Sequence, residues 1–494
     1  MDSRGKIAKV VIAGGGTAGW VTAAILSTQL GGLLDITLIE SDSIGTVGVG
    51  EATIPTHKTF HDLIGVNEAE FMRETKATFK LAIAFENWGA LGDRYVHPFG
   101  SYGQGTWMSD FHSMWRQAKE LSFGGEFDDY CVELQAAEAC KFAKSEKRSL
   151  NYAYHLDSNL YAKFLRKKSE KRGVQRLEGL IADVLLNAET GDIESIKLND
   201  GRLIEGDIFI DCTGFRALLI GQALGVRFVN FNEWLRVNRA VAVQTESEGK
   251  IVPYTRCMAQ RAGWQWRIPL QHRVGNGHVY AGDYMSDDEA LSIFQNNLSG
   301  PICSEPKLIK FKTGRLERIW EKNCVAIGLS SGFLEPLEST SIHLIQIVAS
   351  RLVKMFPFQK KTTSLASHFN KSFIDEFDSI RDFIILHYVA TQRDDTQFWR
   401  DMKSMNIPDS LSARIALYKE SGIVYQNGAD LFRTDSWHAV LRGQGFISNS
   451  YHNIGKMMPP EQLRTALDKL KSYVDQTVAS LPEHSEFLKS YCMD

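Results

Sequence analysis

A chain of 494 residues, 44% hydrophobic, can bury a large core, and a formal net charge of −3 with acids and bases interspersed offers no polyanion-binding face, which excludes nucleic-acid recognition as the leading reading. Its seven cysteines are odd in number, widely spaced and free of C-x-x-C pairs, which argues against a disulfide framework or a zinc site and fits reduced thiols in the cytoplasm. No apolar stretch reaches the roughly 18 residues that span a bilayer, and the polar Met1 to Lys9 runs straight into a core strand, so neither membrane insertion nor secretion is expected.

Lys9 to Ala13 reads as an apolar strand, Gly14 to Gly19 as a tight turn, Trp20 to Leu30 as an apolar helix and Asp35 to Glu40 as a second strand, together a βαβ unit closed by an acid. Gly14, Gly16 and Gly19 remove side chains where backbone must approach a pyrophosphate and a helix must pack, with the helix amides facing the negative charge. Glu40 falls where an acid accepts the ribose hydroxyls of an adenosine half. A plain glycine-rich turn would show the same spacing.

Thr75 to Phe85 then offers two lysines. Lys76 reads as a solvated helix residue. Lys80 enters an alternating apolar segment, where desolvation can lower a lysine's pKa and where the competing reading is a snorkelling surface lysine. Ile181 to Asn187, Ile193 to Leu198 and Leu203 to Asp211, separated by Thr190-Gly191 and Asn199-Asp200-Gly201, read as a three-stranded antiparallel meander. In Gly263 to Pro269, period two puts Trp264 and Trp266 on one face of a strand, as ordinary core aromatics also would be. Ser286-Asp287-Asp288-Glu289 is a capping box for a helix to about Leu298, Ile342 to Phe356 is helical, and most of 364 to 481 has helical spacing with Gly and Pro breaks. The predicted architecture is α/β: a Rossmann-type βαβ unit with an antiparallel meander and a substrate sheet, followed by a helical layer. Residues 1–355 form the main module, with 80–150 and 225–310 as its substrate face; 356–494 cover it, packed as one unit.

Several blocks share one further property. The glycine turn, Gly48 to Pro55, Gly206 to Gly214, Trp264-Gln265-Trp266-Arg267-Ile268-Pro269, Asn323 to Gly328 and Ser331 to His343 together resemble the tryptophan halogenases, a family of flavin-dependent halogenases, along nearly the whole chain. The resemblance implies an FAD-binding, flavoprotein monooxygenase-like fold. Its cofactor residues would be Gly14, Gly16, Thr17, Ala18, Gly19, Glu40, Gly50, Glu51, Ala52, Ile181, Gly328, Leu337 and Ile342. It also implies the reaction: FADH2 and O2 give a C4a-hydroperoxyflavin, chloride or bromide attacks it, and the hypohalous acid formed halogenates an electron-rich aromatic. In that scheme Lys80, in a Phe-Lys pattern, holds hypohalous acid or forms a haloamine, and Glu338 is the second catalytic group. Backbone at Thr340 and Ser341 holds the halide, which suits free amides at a helix start. Trp264 and Trp266, stiffened by Ile268 and Pro269, wall substrate off from cofactor. His97 and Phe99 sandwich the substrate ring, with Trp437 as a third wall. Glu338 also reads as a helix-start acid, as Glu335 does more readily, and His343 as a satisfied core histidine.

Departures from related patterns narrow the expectation. Aromatic hydroxylases of this fold carry an Asp-Gly pair and a late Gly-Asp, where this chain has Asp211-Cys212-Thr213-Gly214 and Gly328-Leu329-Ser330-Ser331. The chain therefore should not reduce its own flavin, and FADH2 is expected by diffusion from a separate NAD(P)H-dependent flavin reductase. Family members commonly have glycine where Ser341 stands, which leaves the halide preference open. Relatives specific for free tryptophan use a tandem tyrosine, and no Tyr-Tyr occurs in this chain. Indole or a substituted indole is thus the expected acceptor, unless Arg442, Tyr451 or His452 forms another clamp. Two readings stand beside this one: a flavin-dependent aromatic hydroxylase, and a catalytically silent flavin-binding protein. A homodimer is left open.

Overall fold

The computed structural model describes residues 8–44, 50–105, 108, 110–144, 150–247, 249–358 and 362–493; the expectations for Met1 to Ile7 and for Gly48 and Val49 fall outside them. The chain forms two compact units interleaved along the sequence, one of residues 1–77, 156–238 and 310–378, the other of 78–155, 239–309 and 379–494. This division does not follow the expected 1–355 and 356–494 halves.

The first unit is built on a six-stranded sheet. Ala8–Ala13 lies at its centre, parallel to Ile208–Asp211 on one side and Leu34–Glu40 on the other. Cys324–Ala326 and Gln175–Glu178 extend it in parallel. Val10, Val11, Ile12 and Ala13 are at most 1% exposed, the continuous apolar run of a strand covered on both faces. The following helix spans Thr17–Leu30 and starts three residues earlier than Trp20, because Gly16 takes the cap position. The expected strand 203–211 is two strands. Leu203–Glu205 finishes the antiparallel meander with Ile193–Leu198 and Ile181–Leu186, and Ile208–Asp211 enters the parallel sheet. The chain changes sheets at Gly206, where a Cβ would lie 2.8 Å from the Val11 side chain, so only glycine passes.

The second unit holds a seven-stranded sheet in which Gly263–Pro269 lies between Tyr254–Gln260 and Val274–Tyr280, antiparallel to both. Ala82–Glu86 and Arg94–Pro98 complete one edge. Thr78–Lys80 instead pairs with Ala153–Leu156, antiparallel. Lys76 is exposed at a left-handed turn (φ 53°), not in the helix Glu68–Glu74 that ends before it, so its solvated character holds and its helical placement does not. Ser286 caps Asp287–Asn296, its hydroxyl accepting the Glu289 N–H at 3.2 Å. From residue 379 onward the unit is helical, through Gln397–Lys403, Asp409–Ser421, Thr434–Gly443, Pro460–Ala479 and His484–Cys492. Among the described residues no helix is long and apolar enough to cross a membrane.

Candidate active site

In the first unit, the glycine turn joins strand to helix with its face open. Gly14 and Gly19 are there for packing, since a Cβ would fall 2.2 Å from the Cys212 carbonyl oxygen and 1.9 Å from the Gly14 carbonyl oxygen, respectively. At Gly16 a Cβ would meet nothing within 4 Å. Behind that open position the helix start at Thr17 and Ala18 has neither a side-chain cap nor an acid in its first turn, which leaves its amide dipoles for an anion. Glu40 reaches the same turn. Its carboxylate accepts from the Trp20 indole N–H at 3.1 Å and from Arg176 and Arg166 at 2.5 and 3.4 Å. Gly50 lies at φ 130°, and burial pushes the Glu51 carboxyl up to about 7 although part of the residue stays accessible. Ala52 is buried, Ile181 opens a meander strand, and Gly328 (φ 79°) lets the last sheet crossing approach Ala18, whose Cβ would lie 2.7 Å from an added Cβ. Such a cradle fits a dinucleotide: open backbone at the turn, an acid beside it, and no side chain in the way.

Farther along the same unit, Pro336–Glu338 forms one 3-10 turn, Ser339 follows in the left-handed region (φ 59°, ψ 34°), and the helix Ser341–Lys354 begins. Left-handed backbone at a non-glycine residue costs on the order of 1 kcal/mol and concentrates at functional turns. Glu338 is 1% exposed and Glu335 is fully buried, and both stand at the 3-10 turn, Glu335 at its cap position. The helix has no side-chain cap; its first internal bond runs from the Leu344 N–H to the Thr340 carbonyl, so the amides of Ser341, Ile342 and His343 lie ahead of it. The buried Thr340 hydroxyl has no hydrogen-bond partner among the described residues. Leu337 and Ile342 flank this turn, both buried. His343 is held by the Thr56 hydroxyl 2.9 Å from its Nδ1, whereas its buried Nε2 has no hydrogen-bond partner among the described residues, so the expected satisfied histidine is satisfied at one nitrogen only.

Lys80 belongs to the second unit and is fully buried, so it does not snorkel. Its Nζ stands 5.0 Å from the centre of the Phe99 ring, a cation–π distance. Trp264 and Trp266 share a face with ring centres 6.0 Å apart. Trp266 lies across Gly277, where a Cβ would come within 2.0 Å of the indole; Trp264 packs on Trp88. Ile268 and Pro269 follow on the same strand, both buried. The sandwich residues meet differently from the expectation. His97 and Trp437 both pack on Phe383, at 5.7 and 5.3 Å between ring centres, and Phe432 stacks on Phe383 at 3.8 Å. Phe383 and Phe432 carried no sequence signal: one lies inside a long helix, the other in an irregular segment, and neither belongs to a local motif.

No alternative amino-acid clamp emerges from the three residues proposed for it. The Arg442 guanidinium lies between Trp115 and Phe127, 4.3 Å from each ring, and 3.9 Å from Asp128. The Tyr451 hydroxyl lies 2.6 Å from Glu120 and 2.8 Å from Gln117, and the exposed His452 accepts the Ile454 N–H. Nearby, Asp110, His112 and His438 form the one cluster among the described residues that could hold a metal ion. Burial and the neighbouring His438 push His112 down to about 2, with Asp110 working against them and the cationic Arg442 and Arg116 adding to the depression.

Known proteins share this whole framework. The family model for tryptophan halogenase matches residues 9–460. The chain is 38% identical over 479 residues to the tryptophan 6-halogenase SttH of Streptomyces toxytricini, spanning 89% of this chain and 90% of that protein. It is 34% identical over 525 residues to the tryptophan 7-halogenase RebH of Lentzea aerocolonigenes, spanning 98% and 99%. Among solved structures, a flavin-dependent halogenase from Xanthomonas campestris is 51% identical with a TM-score of 0.96 over 98% of each chain. BrvH, a flavin-dependent halogenase from Brevundimonas sp. BAL3, is 40% identical with a TM-score of 0.94 over 99% of this chain and 100% of that one. With the motifs, the cradle and the helix-start site in agreement with these matches, the chain belongs to the tryptophan halogenase family and is a flavin-dependent halogenase.

Proposed function

We propose that the protein takes FADH2 from a separate NAD(P)H-dependent flavin reductase and, with O2 and chloride or bromide, halogenates indole or a substituted indole. The observation that carries the reading is the uncapped, buried start of the helix Ser341–Lys354, where free amides and the Thr340 hydroxyl converge beside Glu338. A set of donors without an acceptor among the described residues fits an anion the size of a halide. Reduced flavin held in the glycine cradle would activate O2, the two-electron oxidant that halide needs to become hypohalous acid. Lys80, desolvated and beside Phe99, then holds the oxidised halogen through its N–H groups and delivers it to the ring. Glu338 polarises the oxidant or removes the ring proton. Trp264 and Trp266 act as the wall between cofactor and substrate, and Gly277 fixes the plane of the second indole. His97, Phe99 and Trp437 present aromatic faces to an electron-rich ring.

Indole is favoured over free tryptophan because Arg442, Tyr451 and His452 are engaged elsewhere, so an entering ammonium and carboxylate would lose water without gaining partners. The test is direct: purified protein, a flavin reductase, FAD, NADH and bromide or chloride with a small aromatic panel, read by mass spectrometry. Halogenated indole supports the reading. Hydroxylated product formed without halide, or no product from any indole, overturns it.

A further inference from the structure

A helix start binds an anion well only when its amides are held in place, and the helix Ser341–Lys354 has no cap to hold them. Its fixation comes from side chains on its first turns. His343, 6% exposed, shares a hydrogen bond with the Thr56 hydroxyl at Nδ1 (2.9 Å) and faces the Glu376 carboxylate with Nε2 at 3.6 Å. The Nε2–carboxylate separation is a close electrostatic approach rather than a hydrogen bond, while Nδ1 and the Thr56 hydroxyl share one hydrogen bond whose direction follows the imidazole tautomer. Arg351, two turns further along the same helix, donates to Glu376 at 2.9 Å. Burial works against ionisation of Glu376, but the His343 imidazole and the Arg351 guanidinium outweigh it and hold the carboxyl below its ordinary value. One turn beyond His343, the Gln346 amide lies 2.7 Å from His57 Nδ1.

Thr56 opens the helix Thr56–Leu63, and His57 follows it. Both come directly after the segment 50–55, which the family pattern places along the flavin. Two adjacent side chains thus tie the end of that segment to the first two turns of the halide helix.

We propose that His343 is a positioning residue for the halide site: through Thr56 and Glu376 it fixes the first turn of the helix to the flavin-lining segment, so that halide affinity depends on these contacts and on bound flavin. The inference rests on the halide reading above. Linkage then requires bromide to tighten FAD binding by the same factor as FAD tightens bromide.

The test measures bromide binding without turnover, by NMR line broadening of bromide titrated with FAD-loaded and FAD-free protein. Wild type should bind bromide more tightly when loaded. His343→Ala should weaken bromide by about ten-fold in the loaded protein, the scale of one hydrogen bond to an ion, and should abolish the dependence on FAD. His343→Asn, which retains an acceptor for Thr56, should recover part of the affinity, and the isosteric Thr56→Val should reproduce the loss. In turnover, the bromide KM should rise in parallel while the indole KM stays. A merely structural histidine would lower the melting temperature and leave the bromide affinity and its FAD dependence unmoved, and that result overturns the proposal. Should His343→Ala not fold, Thr56→Val decides alone, since Thr56 is an exposed residue. A wild type with no saturable broadening at all sinks the halide reading as well; intact wild-type binding with unaffected variants sinks only the role of His343.

Discussion

The turn that carries Glu338 and the strand that carries Lys80 solve opposite problems. Around Glu338, after a left-handed Ser339, the described residues offer no acceptor to the buried Thr340 hydroxyl, and three amides lie ahead of the first helical bond. Around Lys80 the chain buries a cation: ladder pairing of Thr78–Lys80 to Ala153–Leu156 and an ammonium against the Phe99 ring. The first arrangement, on the reading proposed above, would bind an anion through backbone, so side-chain identity there is secondary. The second depends wholly on one side chain, because a buried ammonium has no substitute once removed. The chemistry of the enzyme therefore should fail more completely at the lysine than at the glutamate.

The largest effect is expected for Lys80→Ala, which should lower halogenation by about 1,000-fold, within the range of a positioned proton-transfer or hydrogen-bonding group. FAD affinity and NADH-independent reoxidation of FADH2 should persist, and Lys80→Met, which keeps the volume, should be equally inactive; near wild-type product from either removes Lys80 from the mechanism. Glu338→Gln retains volume and loses charge, and should reduce product by roughly 100-fold with an unchanged melting temperature. If its rate matches wild type, the residue only shapes the turn. The aromatic side of the comparison is sharpened by side-by-side kcat/KM values with bromide: indole should exceed L-tryptophan by about 30-fold or more, since an unpaired polar group in such a pocket costs about 2 kcal/mol or more. A tryptophan preference would mean that residues other than Arg442, Tyr451 and His452 clamp the amino acid.

The smallest effect concerns the flavin-lining segment. Burial raises Glu51 from an ordinary 4.5 to about 7, so the folded protein binds a proton that the unfolded chain releases. That contribution is present below about pH 4.5 and is lost as pH rises to about 7, with a slope of at most one proton, near 1.4 kcal/mol per pH unit. Denaturant titrations of flavin-free protein between those limits should show Glu51→Gln flattening the decline; an unchanged slope would show that Glu51 stays ionised.

Much of this was legible along the chain because it is local. A glycine turn between two apolar strands, a period-two pair of tryptophans and a dense block around Glu338 each place their chemistry within a dozen residues, and the backbone geometry they need follows from residue type. Even so, the sequence-based reading merged Leu203–Glu205 with Ile208–Asp211, because nothing in β propensity marks a change of sheet; only the close passage of Gly206 over Val11 does. It also placed Lys76 on a helix that ends at Glu74, since a left-handed lysine has no local signature.

The sequence by itself determined the βαβ unit with its glycine turn and the family, and it supplied Lys80 and Glu338 as candidates, all properties of short segments whose residue types dictate conformation. Tertiary structure alone decided which aromatics meet. His97, Phe383, Phe432 and Trp437 are brought together from positions up to 340 residues apart, and Thr56, His343 and Glu376 from positions up to 320 apart. The same holds for Arg442 and Tyr451, whose partners Trp115, Phe127 and Glu120 lie more than 300 residues earlier. The physical reason is that ring stacking and buried hydrogen bonds depend on distance in space, and a chain that closes loops of this length at an entropic cost growing only as the logarithm of their length leaves no trace of those meetings in its local pattern.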